Sequence, residues 1–251
     1  MQHALSGTCL LAGILLAACG PAQVEEADTY GRWMELPPSE WPHITGVNQI
    51  DYVDQQYPVA GCGFLLEVGE EVLAATAKHV LTYFKSAQMD SVDFEGTLKS
   101  WKLFPKDRPS EVTVVGELLN RDSQESLESI PCDKDWLLFT VQRGSESLQP
   151  LRIRTTPLVK GEPVYVVGWR YSEEDCPQLV YEGVYVRSER DAVLITVEKL
   201  IDNTVGGLSG SPVIDGGGYV VGLMSRGKGE IQRLAPVDYP RRLLELRAQG
   251  D

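Results

Sequence analysis

Short apolar runs, many of them β-branched, follow one another along most of the chain, separated by Gly, Pro, Asn or Asp. They are Val59–Val68, Val72–Ala77, Val112–Leu119, Trp136–Val141, Val164–Trp169, Leu179–Arg187, Ala192–Val197, Pro212–Ile214, Tyr219–Ser225 and Ile231–Val237. Runs of this length at this spacing predict strands of an all-β barrel or sandwich rather than helices. Glycine-bearing turns stand where hairpins need them, at Gly69-Glu70 and Asp215-Gly216-Gly217-Gly218. The stretch Gln88–Trp101 has no clear period and reads as a loop. Only Pro240–Arg247, with Leu243, Leu244 and Leu246, has a helical pattern, which predicts a closing helix over about 239–248. The layout is therefore two β units divided near Gly144–Pro150, the first over 46–146 and the second over 147–238.

The first twenty residues follow a different pattern. Met1–Gly20 has no Lys, Arg, Asp or Glu, and its apolar part from Leu5 to Ala18 falls short of the ~20 residues a spanning helix needs. A buried helix fits this stretch, but an N-terminal apolar run ending in small residues is the pattern of a signal segment. Its end, Leu16-Ala17-Ala18-Cys19, resembles a bacterial lipobox, although only His3 stands where such segments carry Lys or Arg. The resemblance implies removal of residues 1–18, acylation of Cys19, and a lipid-anchored protein of the bacterial cell envelope. Gly20 after the cysteine implies the outer membrane. Residues 19–45, with five acidic residues and several prolines, read as a tether. Trp33 and Trp41 suggest that its later half docks on the domain.

Composition narrows the functional classes. The 251 residues carry 23 Lys+Arg against 36 Asp+Glu, a net charge of −13, which argues against nucleic acid or a polybasic membrane hold. With 43% hydrophobic residues the chain can bury a substantial core. There are only three histidines, His3, His43 and His79, so a multi-histidine metal site is excluded and no cofactor is implied.

Three short segments carry candidate chemistry. In Gly207-Leu208-Ser209-Gly210-Ser211-Pro212 a serine sits in a tight turn, where the amides of Gly207 and Ser209 can face a common point; a plain glycine-rich hairpin fits the same residues. In Thr76-Ala77-Lys78-His79 a strand delivers a histidine into a turn. In Asp133-Lys134-Asp135-Trp136-Leu137-Leu138 a carboxylate stands at the mouth of an apolar strand, a costly place for a charge without a partner. Asp133 fits a turn cap, and Asp135, which directly precedes the run, is the preferred partner for an imidazole.

Together these segments resemble the trypsin-like, chymotrypsin-fold serine peptidases, in the order His, Asp, Ser. Gly61-Cys62-Gly63-Phe64, Val167-Gly168-Trp169 and Gly222-Leu223-Met224-Ser225-Arg226-Gly227 add to the likeness. The resemblance implies two six-stranded antiparallel β-barrels and a peptide or protein substrate. It further implies Ser209 as nucleophile, His79 as base, Asp135 as its orienting carboxylate, and an oxyanion hole from Gly207 and Ser209. Ser225, Arg226 and Gly227 would hold the substrate, with Asn203 at the floor of the specificity pocket. Arg226 and Arg233 would favour acidic residues if they face the cleft. Leu208 stands where pancreatic-type enzymes carry Asp, which implies no zymogen switch of that kind and a simpler bacterial branch, with no PDZ-like segment. Of the cysteines left after processing, Cys62, Cys132 and Cys176, the resemblance favours a Cys62–Cys176 disulfide, with Cys132 as an alternative partner. An odd number leaves at least one thiol unpaired. The same three segments also suit a catalytically inactive peptide-binding module, or an esterase.

Overall fold

The computed structural model describes residues 30–173, 178–201 and 205–250. In chain order the strands are β1 Gly46–Tyr52, β2 Gln56–Tyr57, β3 Cys62–Val68, β4 Glu71–Thr76, β5 Ser91–Val92, β6 Leu98–Phe104, β7 Thr113–Leu118, β8 Asp122–Ser126 and β9 Leu137–Arg143. They continue as β10 Pro163–Gly168, β11 Leu179–Ser188, β12 Val193–Thr196, β13 Pro212–Asp215, β14 Val220–Lys228 and β15 Ile231–Pro236. The helices are α1 Val80–Tyr83 and α2 Asp238–Gly250.

Two closed six-stranded antiparallel barrels result. The first runs β1-β3-β4-β9-β7-β6 and closes through the β1–β6 pairing, with β2 added at the edge of β1. The second runs β10-β11-β12-β15-β14-β13 and closes through β10 and β13. Period-2 burial shows why these segments pair: in β11, Tyr181, Gly183 and Tyr185 turn inward while Glu182 and Val184 face solvent. Each barrel has its own core, around Phe64, Trp101, Trp136 and Phe139 in the first and Val166, Ile195, Val213 and Leu234 in the second. Helix α2 lays Leu243 and Leu244 on the first core, with Asp238 in its first turn and Arg247 in its last, as the helix dipole favours.

The sequence pattern misses five strands, β1, β2, β5, β6 and β8. The stretch Gln88–Trp101, expected as a loop, contains β5 and the start of β6. Strand β1 lies before the first apolar run because its buried positions include Gly46 and Asn48, which break the hydrophobic signal. Asn48 is fully buried yet satisfied: its Nδ2 donates to Ala60 O, Cys62 O and Thr76 Oγ1, and its Oδ1 accepts from Trp101 Nε1 at 2.8 Å.

Residues 30–45 lie against the barrels. Tyr30 Oη donates to Gly218 O, and the Trp41 ring, 8% exposed, meets those of Trp33 and Tyr165 edge-on. Cys19 and the rest of residues 1–29 lie outside the described residues. Among the described residues no helix is long and apolar enough to cross a membrane. The expected Cys62–Cys176 disulfide is corrected, because Cys62 and Cys132 are both free, buried thiols. The Cys62 Sγ points inward at Gly207 O, 3.2 Å away, and burial pushes its thiol up to about 11. Cys176 lies outside the described residues.

Candidate active site

The edge between the barrels brings the three segments together. Strand β4 ends at Thr76, and the chain turns so that His79 caps α1. Asp135 follows a single 3-10 turn, Cys132–Lys134, and its amide donates to Cys132 O. Strand β9 begins two residues later and pairs with β4, so the two ends arrive side by side. Ser209 comes from the second barrel, in the loop before β13. Its carbonyl accepts from Cys62 N of the first barrel, and the next residue, Gly210, donates to Met224 O of β14. The serine backbone is thus pinned from both sides.

Two glycines make this approach possible. Gly210 has φ 82°, and a Cβ there would lie 2.2 Å from Cys62 O and 2.4 Å from Thr76 Oγ1. Gly207 has φ 104°, and a Cβ would meet Tyr171 N at 2.7 Å. Leu208, between Gly207 and Ser209, is fully buried in the second core, an apolar anchor at the position where a carboxylate would need a charged partner.

The side chains form a continuous relay. Asp135, 1% exposed, accepts from His79 N at 2.7 Å through Oδ1 and from His79 Nδ1 at 2.6 Å through Oδ2. A carboxylate only accepts, so Nδ1 carries the proton and Nε2 presents its lone pair. That lone pair faces Ser209, whose Oγ donates to Nε2 at 2.7 Å. A third donor, the Ser225 hydroxyl, also reaches Asp135 Oδ2. The three donors compensate the burial of the carboxylate. The sequence points to the Ser225 main chain as a substrate contact but carries no sign of this hydroxyl, because a lone Ser in a strand gives no signal for it.

His79, Ser209 and Ser225 line one cleft of about 630 Å³, with Val205, Gly206, Gly207, Arg226 and Gly227 on the second-barrel side and Asp135 buried behind His79. Tyr83, 73% exposed, and Tyr171, 43% exposed, stand at its rim. No acceptor among the described residues takes the N–H of Gly207 or of Ser209. Strand β13 pairs with β14 only as far as Leu223, and Met224 is taken by Gly210 and Ser211. On that side the β14 edge from Ser225 to Gly227 has no strand partner among the described residues, leaving main-chain groups open to an extended peptide. Arg226 lines the cleft, but its Nη2 donates to Ile130 O at 2.6 Å, tying β14 to the facing wall. Arg233 stays out of the cleft lining, its guanidinium held by Glu189 at 3.0 Å and Asp191 at 2.9 Å. Asn203 lies outside the described residues. His43 stands apart from the relay, 3.5 Å from Asp107.

No curated protein matches the sequence. Among solved structures, the serine endoprotease from Yersinia pestis is similar in fold, with a TM-score of 0.53 at 14% identity. The likeness covers 82% of this chain and 62% of that one, so the chain spans less than two thirds of that structure's length. A family model described as the trypsin-like peptidase domain matches residues 61–223, well over half of the sequence, in the stretch that carries His79, Asp135 and Ser209. The chain belongs to the trypsin-like peptidase domain family.

Proposed function

We propose that the protein is a serine endopeptidase acting through an acyl-enzyme on Ser209. The observation that carries the reading is the unbroken relay Ser209 Oγ–His79 Nε2, His79 Nδ1–Asp135 Oδ2, at 2.7 and 2.6 Å on the wall of an open cleft. Ser209 Oγ attacks the scissile carbonyl carbon as its proton passes to His79 Nε2, and Asp135 stabilises the imidazolium. The N–H groups of Gly207 and Ser209 receive the oxyanion, each such donor contributing about 3–4 kcal/mol. His79 then returns the proton to the leaving amine, and water repeats the sequence on the acyl-enzyme. The substrate lies as an added strand along Ser225–Gly227. Cys19 carries the acyl anchor that places the domain in the bacterial cell envelope, at the outer membrane.

An active-site phosphonate probe on the full chain tests the activity, and mapping the adduct should find Ser209. Absence of labelling on folded protein, or equal labelling of Ser209→Ala, would leave an inactive peptide-binding module instead. Ser225→Ala is expected to lower kcat about ten- to a hundredfold with KM little changed, since a hydrogen bond to a charged group contributes about 1.5–3 kcal/mol. Steady-state hydrolysis of a quenched peptide would measure it. A rise in KM alone would mean that the hydroxyl serves the substrate rather than Asp135.

A further inference from the structure

Gln232 lies directly across from Gly227 in the β14–β15 ladder. The two residues share a face of the sheet, and Gln232 uses the space that Gly227 leaves. A Cβ built on Gly227 would fall 1.7 Å from Gln232 Oε1 and 3.4 Å from Val205 Cγ1. The amide therefore lies close to both Gly227 and Val205, which line the cleft beside Ser209. Gln232 is fully buried. Its Nε2 donates to Gly229 O at 3.0 Å, which fixes which end of the amide carries the oxygen. That oxygen has no donor among the described residues. Buried acceptors are rarely left so, and a site built around one discriminates strongly between partners that supply a donor and partners that do not.

Resting on the endopeptidase reading above, the geometry points to Gln232 as the residue that sets substrate choice. A peptide paired with Ser225–Gly227 and bonded to Ser209 through its carbonyl carbon turns the side chain before the scissile bond toward the gap between Val205 and Gly227. Gln232 closes the depth of that gap and ends it on an acceptor. The pocket takes a short side chain, and among short ones prefers a hydroxyl donor, Ser or Thr, to Ala.

The test uses the full chain and quenched peptides identical except for Ala, Ser, Thr, Leu, Phe or Lys before the scissile bond. The wild-type protein should cleave after Ser and Thr about tenfold better than after Ala, and at least a hundredfold better than after Leu, Phe or Lys. Gln232→Ala should raise cleavage after Leu and Phe tenfold or more and erase the preference for Ser over Ala. Gln232→Met, which keeps the volume and loses the acceptor, should erase only that preference, and it carries the test if the alanine variant fails to fold. A wild-type preference for large side chains, or an unchanged ranking in variants that still take the phosphonate on Ser209, overturns the proposal and leaves the endopeptidase reading standing. Wild-type protein that neither labels nor cleaves overturns both.

Discussion

His79→Ala is expected to bring peptide hydrolysis down by a factor on the order of 10⁶ in kcat, with KM nearly unchanged. The size follows from what the imidazole alone supplies. Ser209 Oγ is a weak nucleophile until Nε2 takes its proton, and the leaving amine departs poorly unless that proton is handed on. No other imidazole among the described residues lines the cleft. The chain has three histidines; His43 is held 3.5 Å from Asp107, and His3 falls in the N-terminal segment whose removal is part of the proposal. The variant should fold, because His79 is a capping residue at a turn whose side chain is 14% exposed, and its main-chain bond to Asp135 Oδ1 survives the substitution. Binding should survive too, since the β14 edge and the oxyanion amides are main-chain groups. Single-turnover assays of the variant against wild type, with thermal melting to confirm folding, measure the effect. A loss of less than a hundredfold would remove His79 from the proton transfer and with it the proposed mechanism.

Why His79, Asp135 and Ser209 were legible in the sequence, and other residues were not, has a physical basis. His79 and Asp135 stand beside the ends of apolar strands, where a titratable group is conspicuous against its neighbours, and Ser209 is marked by the glycines of the turn before β13. Asp135 was separable from Asp133 because it directly adjoins a strand that enters the core. Most strands were legible for a similar reason, since half-buried pleats write a period-2 pattern. Strand β1 was not, because Asn48 satisfies its buried amide through four partners on β3, β4, β6 and the turn before β3, and a satisfied polar core residue looks like a loop residue in one dimension. Gln232 was hidden differently: its position follows from a ladder register and from the missing side chain of Gly227, neither of which local sequence records. The Cys62–Cys176 pairing failed because family position says nothing about where a side chain points, and the Cys62 thiol turns inward beneath the Gly207 carbonyl.

Lys78→Met is expected to destabilise the fold by about 3–5 kcal/mol, the range for breaking a buried ion pair. For a domain of this size that is a fall in Tm on the order of 10 °C. Lys78 is fully buried although it adjoins His79, and its ammonium donates to Glu125 Oε2 at 2.6 Å while lying 5.5 Å from the Tyr239 ring centroid of α2. Glu125 is 16% exposed, and its other oxygen is buried without a partner among the described residues, so removing the lysine strands a desolvated carboxylate. The pair also ties the histidine turn to β8, from which the chain runs on to Leu127 and Ile130 in the facing wall of the cleft. Glu125→Leu alone should cost a similar amount by stranding the ammonium. The double variant Lys78→Met/Glu125→Leu should recover most of the loss, because an apolar pair of similar volume replaces both charges at once. Chemical denaturation of the wild type, both single variants and the double variant measures the coupling directly. If the double variant loses the sum of the single losses, Lys78 and Glu125 are independent and the pair does not hold the wall. If it recovers stability yet shows a raised KM with an unchanged kcat, the ion pair sets the position of the wall, while the relay behind it stays intact.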